Sequence, residues 1–107
     1  MKTVTAILIA LVLVSPPVPV PAAPDSVRQA DLLYLLKHDC GSCHGMTRKG
    51  GLGPALLPEN LRERNRDLLV LTVLDGRPGT PMPPWRGQLS EEEANWLVDA
   101  LRTGKGL

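Results

Sequence analysis

The sequence has very few aromatic side chains and only two cysteines. Phenylalanine is absent, and one tyrosine and two tryptophans are the only aromatic residues among 107. A chain of this length forms one domain at most, and side chains of this composition build only a modest hydrophobic core. The small number of large apolar side chains therefore raises the question of what else fills the interior.

Neither the charge nor any known catalytic motif indicates a nucleic-acid-binding protein or an enzyme. The chain has 12 basic and 11 acidic residues and a formal net charge of +1. It therefore lacks the excess of positive charge that is typical of proteins that bind nucleic acids or other polyanions. It contains no Ser-His-Asp set, no phosphate-binding loop and no convincing carboxylate pair. We therefore do not expect an enzyme.

The strongest motif is Cys40-Gly41-Ser42-Cys43-His44, which has the spacing of a c-type haem attachment site. Two thiols three positions apart can form thioethers with the vinyl groups on one edge of a porphyrin. The following imidazole can then coordinate the iron. We expect one covalent haem c, whose flat apolar surface would supply the core that the side chains lack. The apoprotein should accordingly fold poorly.

Two other kinds of site share parts of this motif. A redox-active disulfide of the thioredoxin type would need a βαβ context, and none is visible. A zinc site needs four ligands, but Cys40, Cys43, His44 and His38 are crowded into seven residues, with no second ligand pair elsewhere. Both alternatives are weaker than haem attachment.

The N-terminus has the pattern of a secretory signal peptide. Lys2 provides a positive charge, residues 4–14 form an apolar run, and Val20-Pro21-Ala22 offers small residues for cleavage after Ala22. We predict a signal peptide over residues 1–22 and one haem-binding domain over residues 23–107. The apolar run is too short to span a bilayer comfortably, and an uncleaved anchor is the alternative.

Three helices are predicted around the motif. The first covers residues 27–37 after a cap at Asp25 or Ser26, with Val27, Ala30, Leu33, Tyr34 and Leu36 facing inward. Residues 67–74 follow Asn65 and precede Gly76, which favours a helix over a short strand. Ser90 and Glu93 form a capping box for the last helix.

A proline-rich loop offers a second iron ligand. Pro81, Pro83 and Pro84 bracket Met82 and restrict its backbone. A thioether is a suitable sixth ligand for a low-spin haem iron, although most methionines only pack. His38 and Met46 are disfavoured as ligands because their short segment is already committed to the other side of the iron.

Two further residues are expected near the haem. A metal-bound histidine normally donates its second ring N–H to a carbonyl, and the Gly53-Pro54 pair offers a carbonyl to His44, with Pro54 our candidate. Trp85 can stack on the haem, point its N–H at a propionate or simply pack beside the loop.

With these features in this order, the chain resembles class I c-type cytochromes over nearly its full length. The resemblance implies an all-α fold in which the N- and C-terminal helices cross beside one haem. It also implies that His44 and Met82 are the axial ligands. The family often has an aromatic residue where this chain has Ala100, and Trp96 or Tyr34 could compensate.

The segments LLYLLKHDCGSCHGM, KGGLGPALLPENL, DGRPGTPMPPW and SEEEANWLVDAL resemble most closely the cytochrome c55X family (NirC type) of nitrite-reductase gene clusters. This resemblance implies a periplasmic one-electron carrier that donates to the nitrite reductase carrying haems c and d. Its alternative is an accessory role in maturation of the d-type haem. A ligand sensor or peroxidase-like protein would instead need an open sixth position. We expect a monomer without nucleic-acid partners, and without a membrane span once the leader is cleaved.

Overall fold

The structure, a computed structural model, describes residues 2–3, 9–19 and 22–107, and within these ranges it contains helices but no strand. The predicted signal peptide falls partly outside the described residues, which omit 1, 4–8 and 20–21. Residues 9–19 have no regular secondary structure. Across the described ranges, no helix is long and apolar enough to cross a bilayer.

The first helix, α1, covers Ser26–Leu35, and the Asp25 side chain caps it by accepting the Arg28 N–H at 2.8 Å. The helical path does not end near residue 37 as predicted. It continues through a π-helical turn, Leu36–Cys40, into α2, Gly41–His44. The Gly41 N–H donates to the Leu36 carbonyl, the longer spacing of a π turn. The motif therefore lies on a continuous helical segment.

The predicted inner face of α1 was right only in part, because Leu36 is buried and Leu33 packs against the core, whereas Ala30 is exposed. Leu32 and Leu36 are the buried residues, whereas Val27 and Tyr34 are 74% and 68% exposed. Leucines occur on most sides of this helix, so the sequence has no clear apolar stripe. Packing against the last helix selects the face that contains Leu32.

Three more helices follow. They are α3, Pro58–Leu61; α4, Arg66–Asp75; and α5, Glu91–Thr103. The Asn65 side chain caps α4 by accepting the Leu68 N–H at 3.1 Å. Residues 67–74 are thus helical, and the rival prediction of a strand is excluded. The helix ends at Gly76, which has a φ of 68°.

The last helix begins with the predicted capping box. The Glu93 N–H donates to the Ser90 hydroxyl, and the Ser90 N–H donates to the Glu93 carboxylate. Gly104, in the left-handed region, ends the helix. The fold is all-α as predicted.

The core lies between α1, α4 and α5. Its buried apolar residues are Leu32, Leu36, Leu61, Val70, Leu74, Leu89, Ala94, Leu97, Val98 and Leu101. Ala100 is buried, and Trp96 packs against this core while Tyr34 is exposed. Of the two aromatic residues considered as compensation at Ala100, Trp96 is therefore the one that contributes to the interior.

Candidate haem site

An open cavity of about 1040 Å³ lies beside the core. Its lining brings together side chains that are far apart in the sequence, including Cys40, Cys43, His44, Met82 and Trp85. The first three come from the π turn and α2, and the last two come from the loop between α4 and α5. The volume is at the upper end of the usual range for cofactor and ligand sites.

The two cysteines are three positions apart on a helical segment, a spacing that puts side chains on the same face. They are not bonded to each other. Burial, reinforced by the charge of Asp39, raises the pKa of the Cys40 thiol to about 11. Reactive dithiols of the thioredoxin type have a lowered pKa instead. This environment does not favour the disulfide alternative.

A zinc site is not favoured either. Within the described ranges, no group of three or more His, Cys, Asp or Glu side chains is arranged to hold a metal ion. His38 lies outside the cavity lining and is exposed, with its ring centroid 4.2 Å from that of Tyr34. It therefore cannot complete a ligand set with the two thiols.

His44 is held in a defined orientation at the cavity wall. Its Nδ1 lies 2.7 Å from the carbonyl oxygen of Pro54. Because a carbonyl oxygen can only accept, Nδ1–H donates this hydrogen bond, and in the neutral imidazole Nε2 keeps a free lone pair. This is the contact expected from the Gly53-Pro54 pair, and it is how a metal-binding histidine is normally oriented.

Gly53 allows the loop to approach this ring. A Cβ at residue 53 would lie 2.7 Å from His44 Cε1 and 2.8 Å from Nδ1. Any larger residue would push the imidazole or the loop away. The glycine thus permits the contact between His44 and Pro54.

Met82 lies in the irregular segment after α4 and lines the same cavity. Its carbonyl oxygen accepts the Arg77 N–H at 3.1 Å, which folds the loop back on itself. Trp85 is half-buried, packs against the core and lines the cavity. Met46, by contrast, is 49% exposed and lies outside the lining.

Three leucines in the cavity lining have large exposed surfaces. Leu52 is 77%, Leu68 is 62% and Leu71 is 49% exposed. Apolar surface concentrated around one cavity is typical of a ligand site. The sequence analysis missed these residues, because an apolar residue that faces a cavity has the same pattern as one that faces the core.

The donor set and the apolar lining together fit a haem. Two thiols on one helical face, an oriented imidazole and a thioether border a cavity with a largely apolar wall. Imidazole and thioether are axial ligands found in c-type cytochromes. The residues that could hold the group are Cys40, Cys43, His44 and Met82.

Known proteins share both this sequence and this fold. Residues 28–99 match the family described as cytochrome c oxidase, cbb3-type, subunit III. Over 82 residues the chain is 63% identical to cytochrome c55X of Pseudomonas aeruginosa. The matched segment covers 77% of this chain and 69% of that protein.

The chain belongs to the cytochrome c55X family.

It is therefore a c-type cytochrome, a family that implies haem c, and Cys40 and Cys43 fit the CxxCH attachment motif. A solved structure of the c-type cytochrome NirC superposes with a TM-score of 0.75 at 62% identity, covering 77% of this chain and 96% of that one.

A more distant relative is an enzyme. The dihydro-heme d1 dehydrogenase of Pseudomonas aeruginosa is 42% identical over 67 residues, which are 63% of this chain but only 14% of the enzyme. Most of that protein therefore has no counterpart here, and the match concerns one cytochrome-like segment of it.

Proposed function

We propose that this chain carries single electrons by means of one haem c attached to Cys40 and Cys43, with His44 and Met82 as axial iron ligands. When bound, the haem supplies reversible one-electron chemistry between ferric and ferrous iron. The observation that carries the proposal is the single cavity shared by these four side chains.

The protein's own residues would keep the coordination unchanged during electron transfer. The hydrogen bond between His44 and Pro54 fixes the imidazole. The prolines around Met82 restrict the backbone that carries the thioether. Trp85 would pack against the haem from the same loop. With both axial positions filled by the protein, no open position is left for a substrate, which favours a carrier over an enzyme.

As its partner we propose the nitrite reductase that carries haems c and d, to which the reduced protein would donate. Membership of the cytochrome c55X family and similarity to the cytochrome NirC support this role. We further propose that the signal peptide, residues 1–22, is cleaved after Ala22. Residues 23–107 would then act in the periplasm as a monomer.

Similarity to the dihydro-heme d1 dehydrogenase supports a second candidate, an accessory role in maturation of the d-type haem. A dehydrogenation removes two electrons and two protons from its substrate. Two copies of a one-electron carrier would take one electron each, and the protons would pass to solvent. In this role the chain accepts electrons during synthesis of the haem rather than donating them during respiration.

Stopped-flow mixing separates the two roles. The reduced protein is mixed with purified cytochrome cd nitrite reductase and nitrite, and oxidation of its haem is followed by absorbance. Rapid, saturable oxidation coupled to nitrite turnover supports the donor role. Slow transfer with a normal spectrum contradicts it. Reduction of the oxidised protein by the dehydrogenase and its substrate would then support the maturation role.

The absorption spectrum tests the closed coordination. The oxidised protein should show a sulfur-to-iron charge-transfer band that disappears in Met82→Ala. Met46→Ala is the matched control, because its side chain is half exposed and lies outside the cavity lining. A high-spin spectrum of the wild type would instead indicate a sensor or a peroxidase-like protein.

A further inference from the structure

We propose that Gly76 and the ion pair between Asp75 and Arg86 are positioning elements that hold Met82 against the cavity. This inference rests on the proposed function, in which Met82 is the sixth ligand. Neither element would act on the iron itself. Both would act through the loop that carries the methionine, residues 76–85, which we name the Met82 loop.

The two ends of the Met82 loop are tied together. Asp75 is the last residue of α4, and Arg86 follows the loop directly. Arg86 Nε lies 2.8 Å from Asp75 Oδ1, and Nη2 lies 3.0 Å from Oδ2. This two-bond geometry is the strongest arrangement of an arginine and a carboxylate.

Backbone hydrogen bonds also join the two ends of the Met82 loop, which together form its base. The N–H groups of Trp85 and Arg86 both donate to the Leu74 carbonyl, each at 3.0 Å. Leu74 is almost completely buried in the core. The base of the Met82 loop is therefore anchored to a buried residue of α4, and the half-exposed ion pair lies on the solvent side of this anchor.

Gly76 lets the loop fold back onto its own start. Its φ is 68°, and a Cβ there would lie 2.6 Å from the Met82 carbonyl oxygen and 2.8 Å from the Pro83 carbonyl carbon. The Arg77 N–H donates to that same Met82 oxygen at 3.1 Å. The backbone of the proposed ligand thus rests directly on residue 76, and only glycine leaves room for it.

A thioether is a neutral and weak ligand, so its occupancy of the iron depends on how well the loop is prearranged. A shift of the Met82 backbone by a Cβ at residue 76 would move the sulfur with it. The effect should differ from a general loss of stability, because the core contacts of α4 are made by Val70 and Leu74 on the helix itself.

Gly79 provides a matched control for Gly76. It lies in the same loop with a φ of 77°, but a Cβ there would meet nothing within 4 Å. Gly76→Ala and Gly79→Ala both place an alanine at a positive φ, and only the first creates a clash with Met82 and Pro83. A difference between the two variants therefore reports on the backbone conformation and the close contacts of residue 76.

The experiment uses the haem-loaded protein and imidazole as a competing ligand. The oxidised variants are titrated with imidazole, and loss of the sulfur-to-iron charge-transfer band is monitored. The titration measures how readily imidazole displaces Met82. We expect Gly76→Ala to raise the apparent affinity for imidazole by about tenfold, as expected for overpacking, and Gly79→Ala to leave it nearly unchanged. Equal affinities in the two variants would overturn the role of Gly76.

The ion pair is tested with milder variants. Asp75→Asn should increase the rate of imidazole binding by about threefold, because an exposed pair contributes modestly. Asp99→Asn is the control. It removes an equally exposed carboxylate that pairs with Arg66 at 2.6 Å and 2.7 Å, away from the loop. Equal rates in these two variants would overturn the role of the Asp75–Arg86 pair.

Failure of this inference can be separated from failure of the proposed function. If the wild type lacks the charge-transfer band, or if Met82→Ala retains it, Met82 is not the ligand and both proposals fail. If the band is normal in the wild type and Gly76→Ala behaves like Gly79→Ala, only the positioning role fails.

Discussion

Arg28, near the start of α1, contacts Glu93 in the first turn of α5 across 65 positions of the sequence. Arg28 Nε lies 2.6 Å from Glu93 Oε1, and Nη2 lies 3.1 Å from Oε2. The same carboxylate accepts the Ser90 N–H at 3.0 Å and so completes the capping box. One side chain therefore both caps the last helix and connects it to the first.

The first prediction concerns this carboxylate. The hydrogen bond from Arg28 holds the pKa of Glu93 below its usual 4.5. Because the pKa is lowered in the folded state, the stabilisation is fully present above the pKa of the unfolded chain. It is lost as the pH falls through the lowered value. Glu93→Gln keeps the capping geometry but removes the charge. We expect a lower Tm at neutral pH and a weaker loss of stability on acidification.

Thermal unfolding of the haem-loaded protein between about pH 3 and pH 7, the range in which carboxylates titrate, measures this difference. Glu92→Gln is the control, since it removes a neighbouring charge of the same helix turn while leaving the contact with Arg28 in place. If both variants show the same pH dependence, the interaction between Arg28 and Glu93 does not stabilise the fold.

The second prediction concerns the wall behind His44. Gly53→Ala places a methyl group within 3 Å of the imidazole ring, an overpacking that costs about 1–3 kcal/mol. We expect less covalent haem per protein and an altered iron spectrum, because the ring must move from its contact with Pro54. Gly87→Ala is the control, as a Cβ at residue 87 meets nothing within 4 Å. A normal haem content and spectrum in Gly53→Ala would contradict the prediction.

The third prediction tests which face of α1 is buried. Leu32 has no exposed surface, so Leu32→Ala should lower the free energy of unfolding by about 2–5 kcal/mol. Val27, on the same helix and 74% exposed, provides the comparison. Val27→Ala should change that free energy by less than about 0.5 kcal/mol. Chemical denaturation of the two holoproteins measures both values, and a larger effect at Val27 would restore the originally predicted face.

The fourth prediction concerns the contribution of the haem to the core. Without it, the exposed surfaces of Leu52, Leu68 and Leu71 would remain in contact with water. We therefore expect the double variant Cys40→Ala/Cys43→Ala to lack a cooperative helical transition in circular dichroism. Ser42→Ala, which changes the same motif but keeps both thiols, should melt like the wild type. A native-like melt of the double variant would show that the polypeptide folds without its cofactor.

Local signals in the sequence predicted the helix starts and the chemistry of the site. Helix caps contact only the first or last turn of their own helix. Examples are Asn65 and Gly76 at the two ends of α4, and the capping box of Ser90 and Glu93 at the start of α5. The haem motif is equally local, because the thiols and the imidazole lie within five consecutive residues. Such features depend on backbone hydrogen bonds between residues a few positions apart. A short stretch of sequence is therefore enough to predict them.

The tertiary structure alone decided which surfaces meet. The sequence of α1 has leucines on most sides, so only packing against α5 selected Leu32 over Val27 and Tyr34. Likewise, Arg28 and Glu93 form an ion pair although they are far apart in the sequence. Nothing in the sequence around either residue indicates that they are in contact. The sequence by itself determined the local elements and the residues that we propose as ligands. The way in which helices from the two ends of the domain pack together determined the buried face and the cavity, because these depend on contacts between distant segments.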